Sequence, residues 1–335
     1  MRFAHSVSIC YNGYMLDINL IRDNVEAVKE KIQAKGVQFD VGDFTELDKK
    51  RRQLITEIEQ LKSEKNKIAK SIGIKARNKE DISELKVQSV HLSEQIESID
   101  GKLKEIESQF NDLVLGIPNL IHDSVPHGKD ETDNVVIKTW GKKPEFDFKP
   151  LPHWDLGENN QLLDMKRAAK ITGARFSISK GTLAKLEREL INLMLETHTR
   201  DHGYTEILPP FLVNDTSLVG TGNLPKFKAD LYKIEENNLY LIPTAEVPLT
   251  NIHRDELLDH TDLPIKYVAY TPCFRSEAGS HGKDVRGIIR QHQFNKVELL
   301  KFCSPEDSYK EHQQLTEDAE RILQKLGLHY RVVLL

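Results

Sequence analysis

The sequence predicts an α+β protein: a long antiparallel α-helical coiled coil on the N-terminal side, then a domain built on an antiparallel β-sheet flanked by helices. Three observations carry this expectation. Two heptad-spaced runs lie on either side of a short basic turn. An amphipathic stretch over 183–200 reads as a single helix. Beyond it, two apolar β-type segments face each other across a Gly-rich polar connection. At 335 residues the chain has room for two domains and an ample core.

Composition excludes several classes. No apolar run approaches the length of a membrane span, so a soluble, cytoplasmic protein without a membrane partner is expected. The three cysteines, Cys10, Cys273 and Cys303, lie far apart with no CxxC, which suits a reducing compartment and offers neither a disulfide framework nor a metal site. With a net charge of −5, any contact with nucleic acid must come from a local basic surface.

Taken in order, Leu16, Ile18, Ile21, Val25, Val28 and Ile32 suggest a strand-like start and then a short amphipathic helix. Heptads dominate the next hundred residues or so. Leu47, Leu54, Ile58, Leu61, Ile68 and Ile72 form the first seam, with Arg51 and Lys65 allowed at seam positions. Ile82, Leu85, Leu92, Ile96, Ile99, Leu103, Ile106, Phe110 and Leu113 form the second, interrupted by Ser89. GIKARNK, over 73–79, is the expected turn between two helices of roughly 45 Å each. The first helix carries Lys49, Lys50, Arg51, Arg52, Lys62, Lys65, Lys67 and Lys70, and the second is mainly acidic. This split suits salt bridging between and along the helices, and equally a basic surface for RNA phosphates.

After the second helix, residues 118–150 carry Pro118 and Pro126 and little periodicity, so they read as a linker. His153, Trp154 and Asp155 have no second ligand cluster at metal spacing, and structural roles are expected for them. GTGNLPKF, over 220–227, lacks the GK[ST] ending of a phosphate loop. Thr244, Ala245 and Glu246 close a short strand, which alone carries no function. Residues 305–326 read as one more helix and HYRVVLL, over 329–335, as a strand.

The densest chemistry lies in CFRSEAGSHGKDVRGIIRQHQFNKVE, over 273–298. Its strands are expected over Ile265–Phe274 and 288–300, around a loop holding Gly279, Ser280, Gly282 and Lys283. Arg275, Glu277, Arg286, Arg290, His292, Phe294 and Glu298 give the hairpin a high charge density. A solvated sheet face is one reading of it. A guanidinium that grips phosphate, a carboxylate that reads an amino group and a phenyl ring that stacks on a base make the other.

Phe-Arg-x-Glu, a loop, then Arg-Gln-His-x-Phe resembles motif 2 of the class II aminoacyl-tRNA synthetases. FRSEAGS followed by RGIIRQHQFNKVE is similar to the seryl-tRNA synthetase version. The likeness runs over 15–335 through MLDINLIRDN, WGKKPEFDFKPLPHWDLGE, RAAKITGARFSI, HGYTEILPPFLV and GTGNLPKF. It implies a tRNA-binding coiled-coil arm over 15–117, a linker over 118–150 and a class II catalytic core over 151–335, with 1–14 as an upstream extension. Arg275 would be the catalytic residue, holding the ATP α-phosphate and the substrate carboxylate. Ser276, Glu277, Gln291 and Phe294 would join it on ATP, with Glu277 reading adenine and Phe294 stacking on it. Serine would be held by Thr244, Ala245, Glu246, Arg275 and Glu298.

The resemblance further implies ATP as substrate with Mg²⁺ on its phosphates, tRNA(Ser) and where present tRNA(Sec) on the arm, and a homodimer through the helix over 183–200 and the proline-kinked strand over 202–213. The implied reaction attacks the ATP α-phosphorus with the serine carboxylate, then passes the seryl group to the tRNA terminal ribose. The family's motif 3, with its ATP-facing arginine, is absent from the sequence. An incomplete, impaired core with an unpaired apolar strand over 330–335 is therefore expected. Two rivals remain: a piece retaining only arm binding and dimerisation, and a synthetase-like ligase that loads a carrier protein. The intact arm argues against the latter.

Overall fold

A computed structural model describes residues 16–126, 128, 130–277 and 286–334. Residues 1–14 and the loop glycines of the hairpin lie outside the described residues. The chain divides into two compact units, residues 14–129 and 130–335, and the division falls inside the segment expected to be a linker.

In the first unit the expected strand-like start is instead two short helices, α1 (Ile18–Asp23) and α2 (Val25–Gln33). Asp17 caps α1 by accepting from the Asn19 N–H at 2.9 Å. Val28 and Ile32, four apart, share one face of α2, and both are buried in one cluster with Ile21 of α1. Asp40 then caps α3 (Val41–Arg77), which runs antiparallel to α4 (Ser83–Leu115). The turn is shorter and later than GIKARNK: Gly73 sits inside α3, and only Asn78–Ile82 breaks the helices. Ile74, 61% exposed, shows why the seam stops contributing there.

The firm end of this helix pair is aromatic. Phe44 and Phe110 are buried with ring centroids 5.6 Å apart, among Ile21, Ile32, Phe39, Val114 and Ile117. Arg51 tolerates its seam position because its guanidinium lies over the Phe110 ring at 5.6 Å and its Nε reaches Glu107 at 3.2 Å. Arg22 holds the buried Asp48 through two bonds, of 2.8 and 2.5 Å. Farther along, only Ile58 and Leu92 are fully buried among the described seam residues, as a two-helix contact allows.

The second unit contains β1 (Val135–Trp140), α5 (His153–Asn159), α6 (Met165–Thr172) and α7 (Thr182–Arg200). Then come β2 (Thr205–Glu206), β3 (Leu212–Asn214), α8 (Asp215–Gly220), β4 (Lys233–Ile234), β5 (Leu239–Leu241) and α9 (Glu246–Thr250). The hairpin strands β6 (Ile265–Phe274) and β7 (Gln293–Phe302) follow, then α10 (Ser308–Lys325) and β8 (Tyr330–Leu334). β6 and β7 pair antiparallel along ten residues each, and β2 joins β6 in parallel, so this sheet is mixed. β3, β5 and β4 make a second antiparallel sheet, whose core is Val213, Leu218, Tyr240, Ile242 and Val247.

Two expectations change here. β8 is not an unpaired edge: it pairs antiparallel with β1, which lies within the expected linker. Trp140 stacks on Tyr330 at 5.6 Å, and Glu320 joins the strands by accepting from the Tyr330 hydroxyl at 2.5 Å and the Lys138 ammonium at 2.7 Å. The second hairpin strand also starts at Gln293 rather than 288, because residues 288–292 hydrogen-bond elsewhere. His153 Nε2 accepts from the Ile288 N–H at 2.9 Å, and the His292 N–H donates to the Arg175 carbonyl at 3.0 Å. That contact explains Gly287, since a Cβ there would lie 2.0 Å from His153 Nε2 and its φ is +76°. No helix among the described residues is long and apolar enough to cross a membrane.

Candidate active site

A strand alternates its side chains, so β7 presents two different faces. Odd positions meet the helices: Asn295 donates to Glu187 of α7 at 2.6 Å, and Lys301 donates to Glu311 of α10 at 2.9 Å. Even positions Phe294, Lys296 and Glu298 share the other face with their β6 partners Cys273, Thr271 and Ala269. These partners are small and fully buried. Their size lets the 243–246 turn approach, and Ala245 and Leu249 pack directly on Ala269.

That approach builds a polar cluster. The Thr244 hydroxyl donates to Glu298 Oε2 at 2.6 Å and accepts from Lys296 Nζ at 2.7 Å and from the Glu246 N–H at 3.2 Å. Lys296 also forms an ion pair with Glu298. Burial pushes the Glu246 carboxyl above its ordinary range, helped by the Glu298 charge and opposed by Lys296. Burial likewise raises the Cys273 thiol. Thr244, Glu246 and Glu298, read from the sequence, therefore meet in one place. Ala245 contributes its small size. Lys296 was missed, although period-two alternation between Phe294 and Glu298 points to it.

Arg275 follows directly on β6. Its Nε donates to the Pro243 carbonyl at 3.2 Å and its guanidinium lies 5.1 Å from the Phe294 ring centroid. The Arg275 N–H donates to the His292 carbonyl and His292 Nδ1 donates to the Arg275 carbonyl, both at 2.9 Å, so the backbone there is clamped. Ser276 is tied to the segment after GTGNLPKF: its hydroxyl donates to the Ala229 carbonyl at 2.5 Å and its N–H to the Asp230 carbonyl at 2.9 Å. Glu277, at φ +50°, accepts from Arg290 at 2.6 Å. Gln291 donates to the Ser177 hydroxyl at 2.6 Å. Ser276, Glu277 and Gln291 thus line the mouth of the hairpin rather than the Thr244–Glu298 cluster. Together the cluster and Arg275 offer carboxylates and a hydroxyl for an ammonium or hydroxyl group, and a guanidinium beside an aromatic face for an anion next to a base.

Behind the hairpin a second buried polar layer holds the helices to the sheet. The Tyr204 hydroxyl donates to Asp318 at 2.8 Å, Gln314 donates to Asp318 at 3.1 Å, and the His198 and His202 rings meet at 3.0 Å between their Nδ1 atoms. Burial lowers His198 to about 4, and burial with the Asp318 carboxylate raises Tyr204. These side chains fix the layer that carries β7. Of these, His202 and Tyr204 lie in the HGYTEILPPFLV segment, while nothing in the sequence pattern singles out His198, Gln314 or Asp318.

Residues 15–121 match the family "Seryl-tRNA synthetase N-terminal domain", and residues 227–335 match "tRNA synthetase class II core domain (G, H, P, S and T)". The chain is 54% identical over 321 residues to a serine–tRNA ligase of Syntrophobacter fumaroxidans, covering 96% of this chain and 76% of that protein. It is 54% identical over 324 residues to the serine–tRNA ligase of Thermodesulfovibrio yellowstonii, with the same coverage of 96% and 76%. Its fold is similar to a seryl-tRNA synthetase from Pyrococcus horikoshii solved in complex with ATP, with a TM-score of 0.85 and 37% identity over 95% of this chain and 76% of that one. A cytoplasmic serine–tRNA ligase from Naegleria fowleri, solved with AMP, aligns with a TM-score of 0.79 and 28% identity over 95% of this chain and 77% of that one.

Proposed function

The chain belongs to the seryl-tRNA synthetase family, and from that premise we propose how its hairpin face performs serine–tRNA ligation. The activity is that of a class II aminoacyl-tRNA synthetase with ATP as substrate. The observation that carries the site assignment is the convergence of Thr244, Lys296 and Glu298 at the even face of β7, with Arg275 bonded to the neighbouring Pro243 carbonyl.

In the proposed mechanism the polar end of the serine lies against Thr244, Glu246 and Glu298. Its carboxylate and the ATP α-phosphate meet at Arg275, whose bidentate fork neutralises the charge that builds during attack on phosphorus. Phe294 supplies the flat face for adenine and Glu277 an acceptor for its amino group, while Ser276 and Gln291 border the nucleotide. No side chain acts as nucleophile, because positioning and charge neutralisation supply the rate. Alanine is rejected because it would leave the Thr244–Glu298 group without the substrate hydroxyl.

Mg²⁺ would arrive on the nucleotide's phosphates. Among the described residues no group of three His, Cys, Asp or Glu gathers as a cage of protein ligands alone, and no step is assigned to the ion.

The arm is proposed to hold tRNA(Ser), and tRNA(Sec) where present. Lys49, Arg52, Lys62, Lys67 and Lys70 lie exposed along α3, which supports this reading. Dimerisation through α7 and the strands after it, and a cytoplasmic location, complete the proposal. The test is aminoacylation: labelled serine, ATP and tRNA(Ser) should give acid-stable seryl-tRNA, and absence of charging together with absence of serine-dependent pyrophosphate exchange would refute it.

A further inference from the structure

Lys296 has no part in the site read from the sequence, yet its ammonium occupies the centre of the polar cluster. It donates to Thr244 Oγ1 at 2.7 Å and pairs with the Glu298 carboxylate. Its side chain is 30% exposed and that of Glu298 22%, so the pair is largely shielded from solvent. A threonine hydroxyl has one proton and two lone pairs. Here the lone pairs face two donors, Lys296 Nζ and the Glu246 N–H, which leaves Glu298 as the only partner that can accept the proton. The groups facing this ammonium are Thr244 and Glu246 at α9, Thr271 and Cys273 on β6, Arg275 beyond it, and Glu298 on β7 itself. Two of these are carboxylates, Glu298 half-buried beside Lys296 and Glu246 on a residue that keeps an exposed surface at the start of α9, and Lys296 is the cation that acts on both.

We propose that Lys296 is a positioning residue of the amino-acid site: its ammonium, held between Thr244 Oγ1 and Glu298, fixes the direction of the Thr244 hydroxyl and balances the Glu246–Glu298 carboxylate pair so that both face the substrate in one arrangement. This rests on the serine-activating reading of the same face. It makes Lys296 a determinant of serine affinity that acts through Thr244 and Glu298, with no share in ATP binding. The electrostatics agree, since Lys296 is the one group that opposes the upward displacement of Glu246. Without it, Glu246 takes up its proton at a higher pH, and the acid limb of serine utilisation moves the same way.

The experiment compares the wild-type chain with Lys296→Met and Lys296→Arg in two measurements. The first is ¹³C NMR titration of glutamate carboxyl carbons without substrate, with Glu246 assigned through Glu246→Gln. Lys296→Met should move the Glu246 midpoint to higher pH by about one unit, a tenfold change in proton affinity, and Lys296→Arg should leave it near the wild-type position. The second is serine-dependent pyrophosphate exchange against pH. Lys296→Met should raise the serine KM about 30-fold, the loss expected for one charge-assisted hydrogen bond, move the acid limb alkaline and leave the ATP KM within about threefold. Lys296→Arg should recover most of the serine effect. An unmoved Glu246 midpoint, or equal losses for serine and ATP, would overturn the proposal. Wild-type chain that shows no serine-dependent exchange would instead count against the functional reading, and the carboxyl titration would still decide the role of Lys296.

Discussion

Glu298→Gln keeps the shape of the side chain and removes its charge. In the folded chain Glu298 accepts from the Thr244 hydroxyl at 2.6 Å and pairs with Lys296, and its side chain is 22% exposed. The loss divides into a binding part and a stability part. For binding, a charge-assisted hydrogen bond to the substrate's polar end is worth about 1.5–3 kcal/mol in a shielded site. At about 1.4 kcal/mol per factor of ten, kcat/KM for serine should fall between roughly 10-fold and 150-fold. For stability, the stranded Lys296 is still 30% exposed, so water replaces much of the lost pairing. The thermal midpoint should move by less than about 4 °C. The assay is serine-dependent pyrophosphate exchange with serine and ATP varied separately. The ATP KM should stay within about threefold, because Phe294 and Arg275 keep their relation at 5.1 Å. Unchanged serine kinetics, or a parallel loss for ATP, would refute the assignment.

The other predictions are briefer. Arg275→Ala removes both the guanidinium beside Phe294 and its bond to the Pro243 carbonyl, so exchange should fall by about 10²-fold or more with serine and ATP affected together; a loss confined to one substrate would contradict a shared role. His198 is lowered to about 4 from 6.5 by burial, so it is neutral in the fold and charged on unfolding between those values. The stability it contributes is complete above about 6.5 and is lost as the pH falls towards 4. Thermal midpoints measured across that window should drop for the wild type and flatten for His198→Asn; parallel curves would disprove it. Replacing residues 41–115 with a short linker should abolish tRNA charging and spare pyrophosphate exchange, and arm binding should weaken steeply with salt. Charging that survives this replacement would refute the role of the arm.

Much of the fold was legible because its signals are periodic. Heptads specify α3 and α4 through a repeated geometric demand, and Arg51 fits its seam position once Phe110 and Glu107 are there to receive it. GIKARNK reads as a break, whereas a single glycine on an exposed helix costs only about 1 kcal/mol and α3 runs through it. β1 reads as part of a linker in the sequence. Five of its six residues pair with β8 nearly two hundred positions away, and no local pattern records that partner.

At the site, Arg275, Glu277, Phe294 and Glu298 stood out by residue type in a recognisable order. Lys296 did not, since a lysine between two assigned positions looks like ordinary strand surface until alternation is applied to all three. The His198–Tyr204–Asp318 layer is not legible as a unit, for a different reason. Its members come from α7, the turn after it and α10, and only tertiary packing makes them neighbours.

The central claim is that the even face of β7 selects serine and activates it with ATP. Its most direct test is ATP–pyrophosphate exchange on the purified chain against each of the twenty amino acids. The account predicts exchange with serine, with alanine, threonine and glycine at least about 100-fold lower in kcat/KM. Alanine matching serine, or another amino acid preferred over it, would contradict the account.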